Sequence, residues 1–197
     1  MQTSILALKH PDDWAVWLEE NQSLSTGIWL QLAKKGSVGI TYAQALDIAL
    51  CFGWIDGQKK GQDETTWLQY FAPRKRGSIW SQINQGHVKR LTEAGLMRPA
   101  GLAAVEAARA SGEWDRAYQG QSNREVPPEL QAALDRSPKA KEFFETLSSQ
   151  NRFAFVFRVS TAKKPETRLK RAAQFVEMLE EHRVFYPKEK TNDRGKD

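Results

Sequence analysis

Thr41-Tyr-Ala-Gln-Ala-Leu-Asp-Ile-Ala-Leu-Cys-Phe-Gly-Trp-Ile-Asp-Gly57 holds a helix, its stop and the start of a strand in one short run. Thr41 offers a hydroxyl to the first turn, and Gln44, three residues on, completes a capping box. Apolar residues continue to Phe52, where Gly53 supplies the left-handed residue that commonly ends a helix. Trp54-Ile-Asp-Gly57 then reads as a strand. A helix handing over to a strand across one glycine sets the alternation for the rest of this half.

Upstream, Gly27-Ile-Trp-Leu-Gln-Leu-Ala-Lys34 places Ile28, Leu30 and Leu32 on one face of a second strand, and Lys35–Gly39 forms a turn. Pro11 suits the first position of a helix carrying Trp14, Trp17 and Leu18. Downstream, Thr66-Trp-Leu-Gln-Tyr-Phe71 is a third strand, and the polar, glycine-containing Gly57–Asp63 suits a hairpin connection. After Pro73-Arg-Lys-Arg-Gly77, Ser78 is expected to cap a helix with an inner stripe of Trp80, Ile83, His87, Leu91 and Ala94. Pro99 opens an alanine-rich helix ended by Gly112. The expected architecture is α+β: a small antiparallel sheet wrapped by about four helices.

Composition changes at Gly120–Glu125, which reads as a linker. All seven tryptophans precede it. Beyond it come four helix candidates, at 127–135, 138–147 (capped by Ser137), 149–160 and 166–181, the last with Leu169, Ala172, Val176 and Leu179 on one side. The reading divides the chain into a tryptophan-rich body at 1–120, a helical module at 126–187 and a disordered polar tail at 188–197.

The chain has 197 residues and a net charge of +5. Its first 120 residues are nearly balanced, with 13 basic and 12 acidic side chains, whereas 121–197 hold 16 and 12. Two stretches concentrate the excess: Pro73–Arg98 and Arg158–Arg171 each carry six basic residues against one acidic. Such clusters either recruit anions, nucleic acid included, or are solvated helix faces. No window reaches the roughly 18 apolar residues of a membrane span. The start lacks the apolar core of a secretory signal, and the lone Cys51 suits a reducing compartment, so the cytoplasm is the expected location.

Sequence templates for zinc, phosphate-loop and serine-hydrolase chemistry are absent, and no cofactor or metal is implied. Cys51 with His87 is the one conceivable thiolate–imidazole pair, but Cys51 sits in an apolar helix end where cysteine is ordinarily core. Asp56, among aromatics at a strand end, reads as the partner of an arginine or as a turn residue; Arg74, brought to the same sheet edge by the hairpin, is the expected partner. The richest constellation is Arg74-Lys-Arg-Gly-Ser78-Ile-Trp-Ser81. There Arg74, Arg76 and Ser78 would seat an anion at a helix start, with Trp80 and Asn84 on the next turn. Lys163, Lys164 and Arg168 are the corresponding candidates in the second basic stretch.

Ala49–Gly57, Pro73-Arg74 and Ser78-Ile-Trp-Ser-Gln-Ile-Asn84 resemble the bacterial YdeI/OmpD-associated, or bacteriocin-protection, family. Val126–Leu134, Phe143-Phe144 and Ser160-Thr-Ala-Lys-Lys-Pro-Glu-Thr-Arg168 extend the resemblance over about 11–181. It implies a role in resisting bacteriocins or antimicrobial peptides and carries over no catalytic residue. The leading expectation is a non-catalytic binding or protection protein with a basic surface for nucleic acid or another anionic ligand. The alternative is a small-molecule enzyme with a pocket around Asp56, Arg74 and the tryptophans. A protein partner with no small ligand is the third reading.

Overall fold

The computed structural model describes residues 5–118 and 125–187. The tail expected at 188–197, and the expected linker apart from Glu125, lie outside them. By its contacts the chain divides into two compact units, Met1–Ala117 and Tyr118–Asp197.

The first unit runs β1 (Ile5–Leu6), α1 (Pro11–Glu20), β2 (Ile28–Ala33), α2 (Tyr42–Cys51), β3 (Trp54–Gly61), β4 (Thr66–Pro73), α3 (Gln82–Glu93) and α4 (Pro99–Ala110). Its four strands lie in the order β1-β2-β4-β3. β4 pairs antiparallel with both β2 and β3, but β1 pairs parallel with β2, so the sheet is mixed where a purely antiparallel one was expected. The crossover through α1 makes this possible, because parallel neighbours cannot be joined by a hairpin. Two residues are too few to show a period in the sequence.

One face of the sheet meets the helices. Leu30, Leu32 and Phe71 are fully buried with Trp14 of α1. Trp14 stacks on Trp17 at 5.3 Å, lies 5.6 Å from Phe71, and donates its Nε1 hydrogen to the Ala45 carbonyl of α2 at 3.2 Å. Thr41 and Gln44 form the expected capping box, and Gly53 takes φ +75° just after Phe52 closes α2. The clustering of tryptophan in this half is therefore a packing device.

Two local readings change. Gly57–Gly61 is strand, not connection: β3 continues past a register shift between Asp56 and Lys59. The turn is shorter because Asp63 Oδ1 accepts from the Thr65 and Thr66 amides at 2.8 and 2.7 Å and fixes it early. Ser81, not Ser78, caps α3, its Oγ accepting from the Asn84 amide at 3.1 Å. The buried stripe of α3 is therefore Val88 and Leu91, while Ile83 is 57% exposed and Trp80 enters the core ahead of the helix.

The second unit contains α5 (Pro128–Leu134), α6 (Pro138–Thr146), α7 (Ser149–Ser160) and α8 (Pro165–Glu180). Leu130, Leu134, Phe144, Phe155, Val159, Phe175 and Leu179 form its core. The inner face of α8 is Ala172, Phe175 and Leu179, with Leu169 exposed, a rotation from the face expected. Among the described residues no helix is long and apolar enough to cross a membrane.

Candidate anion-binding site

The chain leaves β4 at Pro73 and makes a turn before α3. Ser78 N–H donates to the Lys75 carbonyl at 3.0 Å, and Gly77 sits at φ +82°, which glycine adopts without strain. The Arg74 amide continues the sheet ladder to the Gly53 carbonyl at 2.9 Å. Arg74 then lays its guanidinium 3.6 Å over the ring of Trp80 and reaches the Ser78 and Ile79 carbonyls at 3.5 and 3.4 Å. Lys75 and Arg76 are exposed. The backbone amides of Arg76 and Gly77 donate to no backbone acceptor among the described residues. Turn amides and three cations thus gather within five residues.

This turn forms one wall of a cavity of about 410 Å³, within the 300–1,000 Å³ range of small-molecule sites. Arg74, Lys75, Arg76, Gly77, Ser78 and Trp80 line it on one side; Ala104, Ala107, Ala108 and Ala110 of α4, with Ser111 and Glu113, line the other. Trp80 is 2% exposed and lies 4.8 Å from Trp114, and its buried Nε1 meets no acceptor among the described residues. Glu113 is 4% exposed, and its Oε1 accepts from Arg116 Nη2 at 2.7 Å. The sequence does not single out the alanines or Glu113; only the alanine-rich character of α4 hints at room beside it.

The predicted residues separate into three groups. Arg74, Arg76, Ser78 and Trp80 share the cavity, but Asn84 and Asp56 are not among its walls. Asn84 serves the α3 cap through its amide. Asp56 accepts from Tyr42 Oη at 2.9 Å, and the ion pairs among the described residues do not join it to Arg74, which corrects the expected partnership. The pleat explains it: Asp56 stands opposite Phe71, Arg74 lies three residues further on, and odd spacing sends the two side chains to opposite sides. Asp56 and Arg74 therefore do not meet as walls of this cavity.

In the second unit, Arg168 Nε donates to the Ala162 carbonyl at 2.9 Å, and its Nη1 lies 3.7 Å from Glu129. Arg171 similarly donates to the Arg158 carbonyl. Arg171 thus satisfies a carbonyl in the last turn of α7, where cations are also favoured by the helix dipole, and Arg168 satisfies one just past the end of that helix. Lys164 precedes α8 as its N-cap without a side-chain cap bond, and Lys163 beside it is exposed. Part of the second basic stretch is therefore helix-closing structure.

Cys51 and His87 do not form a nucleophilic pair. Burial, then the negative charge of Asp47, pushes the Cys51 thiol up to about 11, the reverse of activation. His87 Nδ1 instead lies 2.8 Å from Asp47 Oδ1, which Arg90 Nη2 also holds at 2.7 Å. His87 is a half-buried surface partner, not part of an apolar stripe. Among the described residues no group of three or more His, Cys, Asp or Glu side chains is placed to hold a metal.

Through its first unit the chain belongs to a family described as a domain of unknown function (DUF8412), whose profile matches residues 6–104 and so half of the chain. A second profile, described as Bacteriocin-protection, YdeI or OmpD-Associated, matches residues 123–182. The resemblance read across 11–181 is thus divided between two families, and the second fits a protection or resistance-like role at the family level. No curated protein and no solved structure matches the chain.

Proposed function

We propose that this is a non-catalytic binding protein that holds an anionic partner at the Arg74–Ser78 turn, in the service of bacteriocin or antimicrobial-peptide resistance. The observation that carries this reading is the turn itself, where three cations and the Arg76 and Gly77 amides gather over a cavity. Arg74 is immobilised on Trp80, so less side-chain freedom is given up on binding than an unsupported arginine would give up. Backbone amides add fixed partial charges that salt does not displace from the protein. The family description of residues 123–182 supports the biological setting, not the ligand.

Retention on heparin and on a short DNA duplex at low salt tests it. Removing one cation that neutralises a phosphate or sulfate should reduce the slope of log affinity against log salt by about 1. Lys75→Ala with Arg76→Ala should therefore elute at lower salt and flatten the slope by about 2, with an unchanged melting temperature because both side chains are exposed. Passage of the wild-type chain through both columns at low salt would overturn the reading.

A further inference from the structure

The face of the sheet turned away from the helices is not the plain polar surface that an open sheet commonly shows to water. Side chains alternate along a strand, so the residues between the buried Leu30, Leu32 and Phe71 point the other way. Register then places Trp29 beside Tyr70, and Gln31, Leu68 and Lys60 in one row across three strands. Leu68 is 2% exposed although it stands outside the helix-side core, so this face is apolar at its centre. The rings of Trp29 and Tyr70 lie 5.3 Å apart, and the Lys60 ammonium sits 4.6 Å from the Trp29 ring centre. Two glycines give Tyr70 its place. A β-carbon on Gly27 would come within 2.5 Å of the Tyr70 ring and one on Gly57 within 3.3 Å, while Tyr70 Oη accepts from the Gly27 amide at 3.0 Å. The ring is thereby held against backbone. Lys59 and Lys60 are exposed on β3, which is an edge strand. The aspartates that flank them are committed, Asp56 to Tyr42 on the helix side and Asp63 to the Thr65 and Thr66 amides. Glu64 stands exposed at the tip of that turn. Gln31 is also one wall of a cavity of about 460 Å³ bordered by Lys9, Val38 and Ile40, so the strip runs on past the rings to a third lysine.

We propose that this face binds single-stranded nucleic acid, an unpaired base stacking on Trp29 while the phosphates follow Lys59, Lys60 and Lys9. Rings and lysines side by side suit a base and a phosphate together. In a duplex both faces of each base are already covered, so the strand must be unpaired. Lys60 covers the Trp29 ring in the free protein, and an exposed cation–π contact is worth less than a base–aromatic stack. A base therefore displaces the ammonium, which turns to a phosphate. The site is separate from the Arg74–Ser78 turn, because Trp29, Lys60, Leu68 and Tyr70 are not walls of the cavity there, and it does not depend on that reading.

A short labelled oligothymidylate and an abasic strand of equal length, which keeps every phosphate and lacks every base, are titrated by fluorescence anisotropy at one low ionic strength. The wild-type chain should bind the thymidylate about tenfold more tightly, the increment of one stacked base. The Trp29 indole N–H resonance, identified by its loss in Trp29→Leu, should shift with the thymidylate and not with the abasic strand. Trp29→Leu should erase the preference and keep abasic binding. Lys75→Ala with Arg76→Ala should leave the preference intact, so failure of the turn and failure of this face are told apart. Equal affinity of the wild-type chain for the two strands, or none for either, would overturn the proposal, and that comparison does not depend on how any variant folds. A preference that survives in Trp29→Leu would overturn the stacking platform. A Trp29 shift with an uncharged cello-oligosaccharide and none with the thymidylate would overturn it in favour of a sugar.

Discussion

At the scale of single residues, the acidic side chains do local work with nearby donors. Asp63 takes two backbone amides and the hydroxyls of Thr65 and Thr66, which hold its carboxyl down at about 2. Because the folded value is depressed, the stabilisation is present above the ordinary value of 3.8 and is lost as pH falls through about 2. A carboxyl-carbon NMR titration should give Asp63 a midpoint near 2, and Thr66→Val should raise it by removing the largest cause. A midpoint at the ordinary value would show the turn to be formed without the aspartate. Asp56 shows the limit of reading pairs from sequence. The neighbourhood of Asp56 and Arg74 at one end of the hairpin was legible, but their sides were not, since the pleat parity depended on where the third strand stopped. Tyr42, the donor actually used, sits in the first turn of α2, and nothing in the spacing of 14 residues marks it. Tyr42→Phe should cost about 1 kcal/mol in chemical denaturation, the ordinary worth of one such bond, and more than about 3 kcal/mol would mean that Asp56 is left stranded.

At the scale of elements, the fold was legible wherever a helix or strand announced its own ends. Thr41 with Gln44, Ser137 and Pro138 mark termini by side-chain chemistry that needs no partner, and they fall where expected. The faces of helices were harder, because an inner stripe is chosen by what packs against it. On α8, Leu169 and Phe175 both fit a helical period, but only Phe175, at 7% exposure, is inside. Phe175→Ala should therefore cost about 3–5 kcal/mol and Leu169→Ala within about 0.5 kcal/mol. The cavity was invisible for a similar reason: its alanine wall on α4 acquires meaning only opposite the turn. Gly101 completes the placement of that helix. A β-carbon there would come within 2.2 Å of the Cys51 carbonyl oxygen, so α4 packs backbone-close against the end of α2. Gly101→Ala, favourable by helix propensity alone, should instead destabilise by about 1–3 kcal/mol in chemical denaturation. A stabilised variant would mean that α4 does not sit so close.

At the scale of the whole molecule, two cores account for the burial. One gathers Trp14, Leu30, Phe71, Trp80 and Val105 of the first unit; the other gathers Leu130, Phe155, Phe175 and Leu179 of the second. Two different family profiles fall on the two units, as they would for modules that fold by their own contacts. A unit folds alone when it buries enough surface, and that fraction rises with chain length. The first unit has 117 residues and a sheet, while the second has 80 and four described helices, so the second should be the less stable. Local contacts predominate in a helical unit, which should also make it the faster to refold. The prediction is two thermal transitions, which tryptophan fluorescence and far-ultraviolet circular dichroism should separate. All seven tryptophans lie before residue 118, so fluorescence should report only the first unit, while the helical signal should also fall in an earlier step. Phe175→Ala should shift that earlier step and leave the fluorescence midpoint in place. A single transition in which both probes move together with this substitution would show that the two cores melt as one.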